Sequence, residues 1–132
     1  MKILITGVGG PTPRSFAIAL KKYSQHSQYE FIGTDINPLS IGLYQKDLFD
    51  HSYVIPPASD VEGYWMAIEK IIKKHQVDVA VILPELEVLA WSRRKIQGDL
   101  PCKSLVPDYS IAEVLFDKAR TTAVLSDADL VP

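Results

Sequence analysis

The chain opens with Lys2-Ile3-Leu4-Ile5-Thr6, followed at once by Gly7-Val8-Gly9-Gly10. A short apolar run that ends in glycine is typical of a strand buried on both faces, at the centre of a parallel sheet. The glycines that follow allow the backbone to turn sharply toward a helix. We therefore predict a central strand over residues 2–6 and a glycine-rich turn over residues 7–10, and we build the rest of the domain around them.

Strands and helices alternate along the remaining sequence. Hydrophobic periodicity predicts further strands over residues 29–34, 52–55, 78–83 and 103–106, and helices over residues 13–23, 60–75, 85–97 and, as two short helices, 110–126. Residues 36–51 are predicted to be irregular, with one helical turn near 43–48. The core-facing positions predicted for the second and third helices are Val61, Trp65, Ile68 and Ile72, and Leu86, Leu89 and Ala90. This alternation predicts an α/β fold, a Rossmann-like three-layer domain with a mostly parallel sheet of about five strands.

Length and composition favour a single globular domain over residues 1–132. The chain has 47% hydrophobic and 23% charged residues, and its formal net charge of −2 offers no basic field for nucleic acid. Apolar runs such as residues 79–83 are far shorter than the roughly 20 residues that cross a bilayer. The N-terminus enters a strand directly, so we expect a cytoplasmic protein that binds neither nucleic acid nor membrane. Because residues 127–132 end in Leu-Val-Pro, we expect the natural chain to continue into another element.

The candidate site is expected at the carboxyl ends of the strands, where ligands of open parallel sheets bind. The glycines let the backbone approach a ligand, and the helix start presents N–H groups and a positive dipole end to an anion. A guanidinium early in the helix and two hydroxyls would add hydrogen bonds. The candidate substrate- or anion-binding residues are Gly7, Gly9, Gly10, Thr12, Arg14, Ser15 and Asp35. The alternative is that the glycines only form a tight turn and that Arg14 pairs with a surface acid.

A dinucleotide site is the second hypothesis, because Asp35 follows the second predicted strand, where an acid could hold a ribose hydroxyl. The glycine spacing argues against it. The G-x-G-x-x-G pattern requires a third glycine where the chain has Thr12, and the related T-G-x-x-G-x-x-G pattern finds Pro13 at its last position. The third glycine of these patterns allows the helix and the strand to pack closely beside the pyrophosphate. Thr12 or Pro13 at that position therefore narrows the space for a pyrophosphate group.

Other reactive side chains show no catalytic or metal-binding spacing. Glu85 and Glu87 point in different directions on a helix, and an acid in the first turn favours the helix dipole. His26, His51 and His75 are scattered, so we expect no metal site. Cys102 is the only cysteine, which excludes a disulfide and a thiolate cluster. The phosphate-binding loop that ends in Gly-Lys-Ser/Thr is absent.

The chain resembles the N-terminal pre-ATP-grasp domain, also called biotin carboxylase N-terminal-like, of ATP-grasp ligases similar to the large subunit of carbamoyl-phosphate synthase. The resemblance covers nearly the whole length. It depends on the order and spacing of residues 5–11 (ITGVGGP), 32–38 (IGTDINP), 53–57 (YVIPP), 85–90 (ELEVLA) and 106–108 (VPD), followed by 117–121 (DKART). The run of Pro84 and Glu85-Leu86-Glu87 is shorter than in common relatives, so the resemblance does not extend to a substrate role for Glu85 and Glu87.

This resemblance implies an ATP-dependent carboxylate–amine ligase that forms an acyl phosphate and transfers it to an amine. In such enzymes ATP and magnesium lie between two later subdomains, so the isolated chain is expected to be catalytically silent and to hold no cofactor. Its partners would be a small-molecule carboxylate or other anion, the ATP-grasp domain, and in a homodimer a second copy of the chain. Two other functions stay open at this point: an NAD(P)-binding oxidoreductase or sensor domain, and a non-catalytic module that mediates dimer contacts.

Overall fold

A computed structural model describes residues 1–23, 28–128 and 130. Within these residues the strands are β1 (Lys2–Thr6), β2 (Glu30–Asp35), β3 (His51–Val54), β4 (Val79–Val81) and β5 (Lys103–Leu105). The α-helices are α1 (Pro11–Tyr23), α2 (Val61–His75), α3 (Glu85–Ile96), α4 (Tyr109–Phe116) and α5 (Lys118–Asp127), and a 3-10 helix spans Ile41–Tyr44. No helix in this part of the chain has both the length and the apolar character needed to cross a membrane. The expectation that the natural chain continues was based on residues 127–132, of which 129, 131 and 132 lie outside the described residues.

The strands form one parallel sheet in the order β3-β2-β1-β4-β5, in the part of the chain that the structure describes. Strand β1 is central, as predicted, and pairs with β2 through Leu4 and Ile32 and with β4 through Leu4 and Ala80. The chain moves outward from β1 to β3 and then crosses back to β4. The order therefore reverses between β1 and β4, and this is the switch point where open α/β sheets bind ligands. The predicted Rossmann-like α/β fold is confirmed.

Hydrophobic cores on the two faces of the sheet define the three layers. On one face α1 and residues 43–49 cover Ile3, Ile5, Phe31 and Val81. On the other, α2 and α3 cover a core that contains Leu4, Ile32, Tyr64, Ile68, Ile72, Ala80, Ile82 and Trp91. Successive residues of a strand point to opposite faces, so a strand in the middle layer is apolar throughout. Ile3 and Ile5 therefore pack into one core, and Leu4 packs into the other.

The helix faces differ from those predicted from apolar spacing. In α2, Ile68 and Ile72 are buried as expected, but Val61 is exposed and the buried set also includes Tyr64, Ile71 and His75. In α3, Leu86 is 56% exposed, and the buried residues are Glu87, Trp91 and Ser92. The prediction for α3 was wrong because a glutamate occupies a position on the buried face. Its carboxyl group finds hydrogen-bond partners within the domain, which makes its burial tolerable.

Several boundaries also move. Helix α1 begins at Pro11 rather than residue 13, and the helical turn in the irregular segment is the 3-10 helix Ile41–Tyr44 rather than a turn near 43–48. Strand β4 ends at Val81 instead of residue 83. Its pairing stops there, opposite Leu105, and the Leu83 N–H donates to the Thr6 hydroxyl at 3.3 Å.

Candidate functional site

The glycine-rich turn lies at the switch point, directly after β1. Gly7 has a φ of +69°, which favours glycine. A Cβ atom on Gly7 would lie 2.6 Å from Cγ of Pro84, which follows β4. The turn is therefore packed against the neighbouring strand's exit, and the space between β1 and β4 is narrow at this point.

Three N–H groups of the turn, those of Val8, Gly9 and Gly10, have an acceptor within the domain. The Val8 N–H donates to the Thr34 carbonyl oxygen at 3.1 Å, and the Gly10 N–H donates to the Gly7 carbonyl oxygen at 3.0 Å. The Gly9 N–H donates to Oδ2 of Asp35 at 2.8 Å. A phosphate cradle requires such groups to point at the ligand. In this conformation the N–H groups bind acceptors within the turn and at the end of β2 instead.

Asp35 holds the turn in place, because both of its carboxylate oxygens accept main-chain N–H groups. Besides the bond from Gly9, Oδ1 accepts from the Asn37 N–H at 2.9 Å. The side chain is buried, with a residue exposure of 8%. An acid that holds a ribose must present an oxygen to the ligand, whereas this carboxylate is directed into its own loop.

The loop after β2 covers the turn from the side of Asp35. A Cβ atom on Gly9 would lie 2.5 Å from the Ser40 hydroxyl oxygen, and one on Gly42 would overlap the Val8 carbonyl group. Ser40 and Gly42 are both buried. This close backbone approach explains why small residues are required here, and it leaves no gap for a ligand between loop and turn.

The start of α1 offers fewer free N–H groups than the sequence analysis expected. Pro11 and Pro13 have no N–H, so Thr12 supplies the only such donor among residues 11–13. The Arg14 Nε donates to the Gly10 carbonyl oxygen at 3.1 Å, a partner that neither the anion-site hypothesis nor its alternative included. Thr12 and Ser15 are exposed and Arg14 is half-buried. The groups left for an anion are two hydroxyls, one N–H and the rest of the guanidinium.

A buried polar network lies beside the turn, and sequence reasoning missed it. The Trp91 Nε1–H donates to the Tyr64 hydroxyl oxygen at 2.8 Å, and the Tyr64 hydroxyl donates to Oε2 of Glu87 at 2.8 Å. The Thr6 hydroxyl forms another hydrogen bond with Glu87. Glu87 is 4% exposed, and Thr6, Tyr64 and Trp91 are fully buried. The signal in the sequence was the spacing of Glu87 and Trp91, which are one helical turn apart and share a face.

Burial shifts the proton affinity of this network. It raises the pKa of Glu87 from 4.5 to about 7, against the opposing effect of the hydrogen bonds from Tyr64 and Thr6, and the charge of Asp35 raises it further. Burial beside Glu87 also raises the pKa of Tyr64 far above its ordinary range. A carboxyl group of this kind exchanges its proton near neutral pH. Glu85, two residues away, is exposed, so the two glutamates do not act as a pair.

The opposite, amino-terminal edge of the sheet holds a second cluster. His51 begins β3, His75 ends α2 and Glu30 begins β2. The His51 Nε2 and His75 Nδ1 atoms lie 3.4 and 3.9 Å from Oε1 of Glu30. The expectation that the histidines are scattered was therefore wrong for these two, and His26 lies outside the described residues.

A solvent-facing groove of about 830 Å³ runs between α2 and α3. Trp65, Met66, Leu86, Leu89 and Arg94 are among the residues that line it. It is separate from the glycine-rich turn, and the guanidinium of Arg94 stacks over the Trp65 ring at 4.3 Å and bonds Glu69 and Asp99. This groove and the polar site at the switch point are therefore different places.

Comparison with known proteins gives a structural likeness alone. No protein-family model matches the sequence, and no curated protein matches it. Among solved structures, the domain is similar to a dTDP-glucose 4,6-dehydratase from Bacillus anthracis str. Ames in complex with NAD, with a TM-score of 0.49 and 21% sequence identity. The match covers 74% of this chain and 34% of that chain, about a third of the dehydratase.

Proposed function

We propose that this chain is the substrate-side first domain of an ATP-dependent carboxylate–amine ligase of the ATP-grasp type, with the nucleotide bound elsewhere in the enzyme. The observation that carries the proposal is the closed glycine-rich turn, in which the N–H groups of Val8, Gly9 and Gly10 donate within the domain. Nucleotide phosphates are held by free N–H groups. The turn is better suited to support neighbouring side chains than to hold a nucleotide.

The position of the segments that resemble pre-ATP-grasp domains also supports the proposal. Residues 5–11, 32–38, 53–57, 85–90 and 106–108 each span or follow the end of a different strand, β1 to β5 respectively. In a parallel sheet all these ends lie at one edge. Five of the six similar segments therefore lie at the edge where a substrate cleft forms, and the sixth, residues 117–121, spans the start of α5.

The ligand of this edge is a small carboxylate or other anion, held by Arg14, Thr12 and Ser15. The guanidinium of Arg14 is anchored through Nε on the Gly10 carbonyl oxygen, which leaves its terminal nitrogens as donors. The hydroxyls of Thr12 and Ser15 are exposed on the same helix turn. Gly7, Gly9, Gly10 and Asp35 act indirectly, because they set the position of the helix start.

Calorimetry on the 132-residue chain tests this proposal. Magnesium ATP should give no saturable heat, whereas phosphate and a panel of small carboxylates should bind weakly, in the millimolar range that roughly −4 kcal/mol provides. Arg14→Ala should remove the anion binding, and the exposed Arg120→Ala should leave it unchanged. Saturable ATP binding by the chain, or anion binding that Arg14→Ala does not affect, would contradict the proposal.

A dinucleotide-binding domain is the second candidate. The specific observation in its favour is the strand order β3-β2-β1-β4-β5 with an acid, Asp35, at the end of β2, which is the arrangement of dinucleotide-binding halves. It requires the loop around Ser40 to open and Asp35 to release Gly9. Titration of NADH, followed by its fluorescence, separates the candidates: a saturable change that Asp35→Asn weakens supports the dinucleotide function, and no change supports the ligase domain.

A further inference from the structure

We propose that Glu30, His51 and His75 form a binding site for one divalent transition-metal ion of the Zn²⁺ type, at the amino-terminal edge of the sheet. Each residue offers one ligand atom, and these atoms all lie within 4.8 Å of one another. The site is at the far end of the strands from the glycine-rich turn, so it is independent of the proposed function.

The distances suit tetrahedral coordination. Bonds of about 2.0–2.1 Å to nitrogen and about 2.0–2.2 Å to oxygen place the ligand atoms of a tetrahedral zinc site roughly 3.3–3.5 Å apart. The His51 Nε2 already lies 3.4 Å from Oε1 of Glu30, and the His75 Nδ1 lies 3.9 Å from the same oxygen. Small side-chain rotations bring all three atoms onto one ion.

The surroundings of His75 orient it as a metal ligand. Its Nε2 lies 2.7 Å from the Tyr53 hydroxyl, and Lys74 Nζ donates to that same hydroxyl at 3.0 Å. When Nε2 carries the proton and donates it to Tyr53, the lone pair of Nδ1 faces Glu30. A second hydrogen bond that fixes the tautomer and the ring is the usual support for a histidine that binds a metal.

Exposure and charge define what kind of ion fits. The His75 side chain is 8% exposed, whereas those of Glu30 and His51 are 35% and 45% exposed, so one side of the ion would face solvent and take water as a fourth ligand. Two imidazoles and one carboxylate favour Zn²⁺, Co²⁺ or Ni²⁺ over Mg²⁺ or Ca²⁺. Lys2 Nζ, 4.0 Å from the other oxygen of Glu30, competes with the ion for this carboxylate.

Metal titrations of the tag-free 132-residue chain test the site. We expect Zn²⁺ to bind at one equivalent, and Co²⁺ to give the visible absorption of a tetrahedral ion, with no response to Mg²⁺. At a free Zn²⁺ concentration a hundredfold above Kd, the thermal midpoint should rise by roughly 10 °C. Histidine ¹⁵N spectra should show coordination through Nδ1 of His75 and Nε2 of His51.

Substitutions identify the ligands. His51→Ala and Glu30→Gln should each weaken Zn²⁺ binding at least about tenfold, and Glu62→Gln, an exposed change at the other end of α2, should have no effect. Lys2→Gln should strengthen binding by roughly two- to tenfold, because it removes the competing cation. The absence of one-equivalent Zn²⁺ binding, or binding unchanged in His51→Ala, overturns the proposal. Circular dichroism shows whether the His51→Ala and Glu30→Gln variants fold. If either variant does not fold, the native chain decides: a ¹⁵N shift of His75 Nδ1 that zinc leaves unchanged also overturns the proposal.

Discussion

Glu87→Gln isolates the energetic consequence of a carboxyl group buried at the switch point. The raised pKa, from 4.5 to about 7, means that the folded domain binds the Glu87 proton more tightly than the unfolded chain does. Its contribution to stability is therefore fully present below pH 4.5 and is lost as the pH rises through about 7. At about 1.4 kcal/mol for each tenfold difference in proton affinity, the loss amounts to about 3 kcal/mol.

Glutamine removes this dependence while keeping the shape of the side chain. Its carbonyl oxygen can accept from the Tyr64 hydroxyl, and its amide can donate to the Thr6 hydroxyl. At pH 5 we expect the wild type and Glu87→Gln to have similar free energies of unfolding. At pH 8.5 the variant should be the more stable by about 3 kcal/mol, because the wild type then buries a charge.

Urea denaturation at several pH values between 5 and 8.5 measures this difference directly. Glu85→Gln, a change of the same kind at an exposed position of the same helix turn, is the matched control and should follow the wild type. The ¹³C shift of the Glu87 carboxyl group should titrate with a midpoint of about 7. Parallel stability curves for the wild type and Glu87→Gln over the whole range would refute the reasoning.

Three further predictions concern separate parts of the domain. Gly7→Ala should lower the free energy of unfolding by about 2–4 kcal/mol, because of its positive φ and the contact with Pro84, whereas Gly10→Ala should cost less than about 1 kcal/mol; urea denaturation of both decides. Burial raises the pKa of Cys102 from 9.0 to about 11, so its reaction with thiol reagents at pH 8 should be about a hundredfold slower than in the unfolded chain, and equal rates would contradict this. Asp60→Ala should cost about 1 kcal/mol by removing the 3.1 Å cap on the Gly63 N–H of α2, and Asp60→Asn, measured the same way, should restore most of it.

The elements that were predicted well depend on local sequence. Strand β1 has the predicted bounds, and helix α2 ends at His75 as predicted and begins one residue after its predicted start. The helix faces were predicted less well, because Leu86, Leu89 and Ala90 were expected to be buried, whereas Leu86 is exposed and Leu89 and Ala90 are only half-buried. A buried glutamate cannot be inferred from hydropathy, since its burial depends on Tyr64 and Thr6, which lie far away in the sequence.

Part of the candidate site could likewise be predicted from local sequence, and part of it could not. Its location after β1 and the identity of its glycines could be predicted, because a glycine turn between a parallel strand and the following helix lies at the carboxyl edge of the sheet. The state of its N–H groups could not be predicted. Two of the three acceptors come from Thr34 and Asp35, on a different strand, and the covering side chain comes from Ser40.

By itself, then, the sequence of this protein determined the alternation of strands and helices, the central strand and the glycine-rich turn, because periodicity and backbone conformation are properties of neighbouring residues. The tertiary structure alone decided that the turn is closed by Asp35, that Glu87 is buried at the switch point, and that Glu30, His51 and His75 meet at the other edge. These groups are brought together by the order of the strands in the sheet. Distances between side chains on different strands follow from that order and not from spacing along the chain.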